Sequence, residues 1–258
     1  MSSAVAASLF QPIAPEAAGM PLYRVVKRVL LQAIESRACP PGVALPSEAD
    51  LGRALGISIG TLRRAVDELV AEHILVRRQG RGTFVATHNP SRFLFQFFHV
   101  ERSDGLRESP AVELVSFERV RADEEMAAAL QLRVGDPLIQ IENRLLLQGR
   151  AVIYDRLSLP AVLFKGLSER RLRERSATIY QLYQSEYGIT VLRALERARA
   201  SAADRSAARV LGVAPGTPVM QVHRTALTFG DRPVEYRVSI VDTRHHDYVN
   251  LLTRPTGR

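Results

Sequence analysis

Five arginines, Arg63, Arg64, Arg77, Arg78 and Arg81, fall within one stretch, SIGTLRRAVDELVAEHILVRRQGRGTFVA, residues 58–86. A guanidinium offers N–H donors in a fixed fork that matches a phosphate or the O6/N7 edge of guanine, so this density points to recognition of a polyanion. Ser47, Ser58 and Thr61 stand where helices are expected to begin, and the unpaired N–H groups of a helix start attract phosphate. Gln79, Gly80, Gly82 and Thr83 interleave with the later arginines, the glycines supplying the positive φ of a tight turn. Each has an ordinary alternative: a capping serine, a solvated helix face, a plain surface hairpin.

A second set of polar residues interrupts apolar strands further on: Glu142, Asn143 and Arg144; Tyr154, Asp155 and Arg156; Glu235, Tyr236 and Arg237. Neighbours on a strand face opposite ways, so about half of each group can share one cavity. Asp155, Glu235 and Arg237 are the expected polar fixtures of a small-molecule pocket, the alternative being exposed positions on a half-solvated sheet. No G-x-S-x-G, phosphate-binding P-loop or H-E-x-x-H occurs, and nothing demands catalysis or a cofactor. Cys39 is the single cysteine and has no basic neighbour to activate it; with scattered histidines it makes no metal site and no disulfide. The adjacent His245 and His246 diverge and cannot jointly hold a metal.

These residues need elements to hold them. In PLYRVVKRVLLQAIESRA, apolar residues from Leu22 to Ile34 recur at helical spacing, and CPPG then turns the chain. A short second helix follows Ser47 and ends at Gly56; a third starts at Ser58 and lines Leu62, Ala65, Val66, Leu69 and Val70 along one face. Two helices about a glycine make a helix-turn-helix, and ILVRRQGRGTFVA adds a hairpin wing. The expectation is a helix for the DNA major groove beside a basic hairpin for the backbone or minor groove.

With 258 residues the chain has room for two domains, and its formal charge of +8 favours an anionic partner. Residues 20–87 hold ten Lys and Arg against six acids, so about half of that excess sits in the first domain. Residues 1–19 lack the charge and apolar run of a signal peptide and read as a disordered tail. No run reaches the length of a membrane helix, and a single cysteine fits the cytoplasm. Residues 88–110 read as a linker that partly packs. From 111 to 258, strands and short helices predict an α+β domain with a mostly antiparallel sheet, containing a pseudo-repeat of helix end, Gly-Pro, strand, glycine turn and strand.

The segments from PLYRVVKRVLLQAI to QGRGTFV resemble the winged helix-turn-helix of the GntR family of bacterial regulators. Those from VSFERVRADEEMAAALQL to DRPVEY resemble the UTRA effector domain of its HutC branch. The resemblance implies a homodimeric regulator, commonly a repressor, that leaves a palindromic double-stranded operator when a metabolite enters the UTRA pocket, which has a chorismate lyase-like fold. It implies DNA contacts at Ser47, Arg63, Arg64, Gly80 and Gly82, and effector contacts at Asp155, Thr178, Tyr180, Glu235 and Arg237. Ile59 and Gly60 replace the arginine that many relatives carry after the serine. An R-x-R pattern that grips phosphate in many members falls on Asn143 and Leu145, with Arg144 between them and expected to face away; a carboxylate held by Arg156 or Arg237 is the effector expected instead. The rival reading is a lyase-like enzyme acting on a small aromatic acid, against which stands the fused DNA-binding head.

Overall fold

The structure, a computed structural model, describes residues 9–13, 20–88, 97–176 and 178–250. The chain divides between Thr87 and His88 into two units. In the first, α1 (Leu22–Glu35) buries Val26, Leu30 and Ile34, one residue per turn. Helix α2 (Glu48–Leu55) starts at Ser47, whose Oγ accepts the Asp50 N–H at 3.1 Å, and stops at Gly56 with φ 68°. Helix α3 (Ile59–Ala71) starts at Ser58, whose Oγ accepts the Thr61 N–H at 3.2 Å, and buries Leu62, Ala65, Val66 and Leu69.

The wing pairs β1 (Leu75–Arg78) with β2 (Gly82–Val85), closing at Arg78 opposite Gly82. Residues 42–45 run along its far side, where Leu45 N–H donates to Thr83 O at 2.8 Å and Val85 N–H to Val43 O at 3.0 Å. The expected disordered tail is corrected at residues 9–13. Phe10 is 2 % exposed, and Ile13 N–H donates to Leu55 O at 3.0 Å. Burying one phenylalanine is worth about 2 kcal/mol or more, enough to offset much of the ordering of a short segment. The rest of the tail, residues 1–8 and 14–19, lies outside the described residues.

The second unit is an antiparallel six-stranded sheet in the order β4-β5-β6-β9-β8-β7. Its strands are β4 (Ala111–Arg121), β5 (Pro137–Leu147), β6 (Arg150–Pro160), β7 (Arg193–Ala202), β8 (Pro218–Leu227) and β9 (Pro233–Val241). Helices α4 (Glu124–Leu130) and α7 (Arg205–Leu211) cover one face, packing on Tyr236 and Tyr154 respectively. Helix α5 (Glu169–Glu174) and α6 (Ile179–Leu182), which runs on into a π-helical turn Tyr183–Tyr187, close the other face over Ile139, Ile141 and Leu157.

The pseudo-repeat extends further than its sequence signature. Asp123 and Asp204 cap α4 and α7, and the N–H groups of Gly135 and Gly216 return to the carbonyls of Ala122 and Ala203. Each half is therefore strand, helix, strand, strand, with the two halves joined along β6 and β9.

The linker expected at 88–110 to pack in part packs more fully than that, and it contributes a strand. Phe97, Phe98 and Val100 are buried, and β3 (Val100–Arg102) pairs with β10 (His246–Tyr248). His88 takes the Val191 N–H on Nε2 at 3.1 Å and donates its own N–H to Gln184 Oε1 at 2.9 Å. Aromatic rings bury too much apolar area to remain in a free connector. Residues 89–96 and 251–258 lie outside the described residues.

Candidate functional site

Every arginine of the opening stretch is solvent-exposed, and four of the five are held. Arg63 Nε donates to Glu48 Oε2 at 2.6 Å, and Arg77 Nη1 lies 2.6 Å from Asp67 Oδ1. The Arg64 guanidinium sits 4.0 Å above the ring of Tyr23 on α1, and that of Arg78 sits 4.6 Å above Phe84 in β2. Stacking on an aromatic face leaves the guanidinium edge free to donate. Arg81 is at the wing tip between Gly80 (φ 67°) and Gly82 (φ 104°), with Gln79 beside it. A side chain at either glycine would meet no neighbour, so the positive φ alone accounts for them. Ser58 Oγ and Thr61 Oγ1 lie 2.9 Å apart at the start of α3. Thus Ser47, Ser58, Thr61, Arg63, Arg64 and the wing residues 77–83 form an exposed basic surface of two helix starts, one helix face and one turn. Tyr23, Glu48 and Phe84, which orient three of the arginines, carry no signal in sequence beyond their aromatic or acidic character.

In the second unit a cavity of about 640 Å³ opens between the sheet and the α5–α6 segment. Asn143, Asp155 and Arg237 form its floor; Leu172, Arg173, Arg175, Ser176, Thr178 and Ile179 its far wall; Val112, Glu113 and Leu114 its edge. Below the floor is a buried ionic network. Arg237 Nη1 donates to Asp155 Oδ2 at 3.1 Å and Nε to Glu235 Oε1 at 3.0 Å. Glu235, 0 % exposed, also accepts from Tyr180 OH at 3.1 Å and Tyr183 OH at 2.7 Å. Burial works against the charge on Arg237, yet Glu235, Tyr180 and Asp155 hold its pKa well above the ordinary value. Burial and the Glu235 carboxylate push the Tyr183 phenol well up, so it stays a donor. The network continues through Arg224, which is ion-paired with Glu196 and donates to the Phe97 carbonyl.

Three polar groups around this cavity are incompletely matched, the first being Arg237 Nη2, which lies 2.9 Å from Glu235 Oε1 without forming a hydrogen bond. Asn143 Oδ1 is buried with no hydrogen bond, and Arg175 donates only to the Leu172 carbonyl, 2.6 Å, with no carboxylate against it among the described residues. Burial pulls the Arg175 pKa down. The other charges are spoken for: Arg173 by Glu169, Glu113 by Arg144, Asp155 by Arg237. The cavity therefore presents one uncompensated guanidinium beside an amide and hydroxyls, a set suited to an anion.

Of the residues expected here, Asp155, Thr178 and Arg237 line the cavity, and Tyr180 and Glu235 lie behind its floor. Arg156 is a correction, and Arg144, also an effector candidate, faces away as its register suggested. Arg144 pairs across the strands with Tyr154, and Arg156 with Val238, on the face covered by α4 and α7, opposite Asn143 and Asp155. Missed were Arg175, Arg224 and Tyr183; Arg175 had a trace in the basic run ERRLRER, whereas Arg224 is a lone charge in an apolar strand.

A winged helix-turn-helix with an exposed arginine surface, followed by an α+β unit with an open cavity of mixed apolar and polar lining, defines a DNA-binding regulator with an effector domain. Residues 22–85 match the bacterial regulatory proteins of the gntR family and residues 106–247 the UTRA domain. The chain belongs to the GntR family, in its HutC branch. It is 26% identical over 238 residues to the transcriptional repressor NagR of Bacillus subtilis, spanning 91% of this chain and 96% of that protein. It is 36% identical over 116 residues to the histidine utilization repressor of Pseudomonas putida, 45% of this chain and 47% of that one. The ligand-binding domain of a GntR-family regulator from Bordetella bronchiseptica superposes with TM-score 0.58 at 35% identity, covering 62% of this chain and 99% of that one. PhnF from Mycobacterium smegmatis shares the fold, TM-score 0.51 at 23% identity over 90% of this chain and 99% of that one. These relatives are transcriptional regulators, which sets the lyase-like reading aside.

Proposed function

We propose that this chain is a cytoplasmic repressor that holds a palindromic operator as a homodimer and leaves it when a small anionic metabolite enters the cavity. The observation that carries the effector half of this reading is Arg175, whose guanidinium faces the cavity with no carboxylate against it among the described residues; the unpaired Asn143 Oδ1 nearby would take a donor, such as a hydroxyl, from the same ligand. A carboxylate or phosphate placed there would neutralise the guanidinium and take donors from Ser176 and Thr178. The named relatives that are repressors favour repression over activation.

On the DNA side, Arg63 and Arg64 enter the major groove, the starts of α2 and α3 at Ser47, Ser58 and Thr61 take phosphates, and the wing from Arg77 through Thr83 follows the backbone or minor groove. Arg63 and Arg77 exchange Glu48 and Asp67 for phosphate as they bind. Release follows from the network under the cavity. An anion on Arg175 changes the field at Asp155 and Arg237, and through Tyr180 and Arg224 the disturbance reaches Phe97 and the neighbourhood of His88, the first residue after the winged unit.

The test is a salt-dependent titration of the full-length protein with DNA from its own upstream region and with a scrambled duplex. Binding to the native fragment about a thousandfold tighter, with two chains per duplex by sedimentation, supports the reading. Equal, steeply salt-dependent binding to both reduces the basic surface to non-specific affinity and overturns the operator reading for that region.

A further inference from the structure

The face of the sheet covered by α4 and α7 holds a second cleft, of about 550 Å³, between α4 and strands β7, β8 and β9. It shares no lining residue with the cavity above. The internal repeat shows what is unusual about it. By strand register Arg197 stands where the first half has Ser116, Arg199 where it has Glu118, His223 where it has Glu142, and Tyr236 where it has Tyr154. At these positions one half thus carries two carboxylates and the other two arginines and a histidine, while the first half's own arginines on this face, Arg144 and Arg156, stand where the second has Thr225 and Val238.

The polar groups at the back of the cleft are tied together. Arg199 Nη2 lies 2.8 Å from His223 Nε2, and since a guanidinium only donates, Nε2 accepts and the ring proton sits on Nδ1. His223 Nδ1 is 2.5 Å from Tyr236 OH and 3.1 Å from Glu125 Oε1, while Tyr236 OH donates to the same Glu125 oxygen at 2.5 Å. Glu125, the one acid lining the cleft, is occupied by this chain. Arg197, directly opposite His223 across the strand pair, makes no hydrogen bond or ion pair with any described residue.

Arg197 and Arg199 are two residues apart on one strand face, about 7 Å along it, so their like charges repel and an anion bridging them would relieve that repulsion. Facing them, Ala128 and Ala129 of α4 are small and apolar. We propose that this cleft is a second ligand site, distinct from the effector cavity, for a small organic oxyanion whose carboxylate or phosphate bridges Arg197 and Arg199 and whose apolar body lies against α4. Occupation adds a fixed anion between β7 and α4, and gives the regulator a second chemical input.

Calorimetric titration of the full-length protein with inorganic phosphate, citrate and benzoate, each at constant ionic strength, tests this. Three forms are compared: wild type, the Arg197→Gln/Arg199→Gln double variant, and Arg175→Gln in the first cavity. Both cleft arginines are exposed, so the double variant should melt as wild type does. The expected result is that at least one probe binds wild type and Arg175→Gln alike and binds the double variant about tenfold more weakly or worse. No heat above dilution for any probe overturns the proposal. So does binding that Arg175→Gln abolishes and the double variant leaves intact, which places the anion in the first cavity. A change of oligomeric state in the double variant, with no probe binding, gives the cleft to a second copy of the chain.

Discussion

Glu235 has no exposed surface, yet two phenols and a guanidinium converge on it, an arrangement that stands only while all its partners remain. Breaking a buried pair from one side leaves an uncompensated charge, so Glu235→Gln is expected to lower the unfolding free energy by about 3 kcal/mol or more in urea titration. A fall of a few tenths would show that Asp155 alone satisfies Arg237. A pH dependence follows from the next link. Burial opposes ionisation of Glu196, but Arg224, the Tyr248 hydroxyl and His99 outweigh it and hold its pKa below the ordinary glutamate range. Burial, against the pull of Glu196, also lowers the pKa of His99. Both groups bind protons more readily unfolded than folded, so both favour the native state at neutral pH. Their contribution declines as pH falls, His99 from about pH 6.5 and Glu196 from about pH 4.5 downward. Denaturant midpoints measured from pH 7 to pH 4 should fall steadily, and a flat profile would contradict the assignment. Sequence exposes such residues only in part. Asp155, Glu235 and Arg237 are visible as charges in apolar strands, but alternation tells which residues share a face and not which face is hollow, and so Arg156 stands beside Arg237 among the expected effector contacts while Asn143, on the hollow face, does not.

At the scale of elements the two halves of the sheet offer an internal comparison. Helix α7 ends at Gly212 with φ 69°, while the equivalent end of α4 places Gln131 at φ 56°. A side chain in the left-handed region is strained, and a helix end of this kind favours glycine. Gln131→Gly should therefore stabilise the second unit by about 0.5–1 kcal/mol, read from the urea midpoint at unchanged slope. A loss would mean that the Gln131 side chain contributes more than its backbone strain removes. The three helices of the first unit were legible because their signals are local: serine caps, a terminal glycine, apolar residues at helical spacing. Phe10 and the segment from Phe97 to Arg102 were not. They carry no period, and only partners far along the chain, Leu55 for the segment holding Phe10 and β10 for β3, order them.

The whole molecule joins a DNA-binding unit to an effector domain, and the proposed release is a statement about free energy shared between them. Whatever factor the effector removes from operator affinity, the operator must remove from effector affinity, since both report one coupling free energy. Typical couplings correspond to about 5- to 150-fold, which sets the size of effect to look for. An effector found by thermal-shift screening of metabolites would be titrated into free protein and into the protein saturated with operator duplex. Equal affinities in the two titrations would end the release mechanism, however tightly the effector bound, because a ligand with no preference between two states shifts neither. Arg224 offers the sharper discrimination, for it joins the network under the cavity to the Phe97 carbonyl and touches neither ligand. Arg224→Lys keeps the charge opposite Glu196 but cannot reproduce two divergent donors. The variant is expected to hold free-protein effector affinity near wild type while the ratio between the two titrations falls toward one. If effector affinity collapses and the ratio survives, Arg224 shapes the cavity, and the coupling runs through another part of the fold.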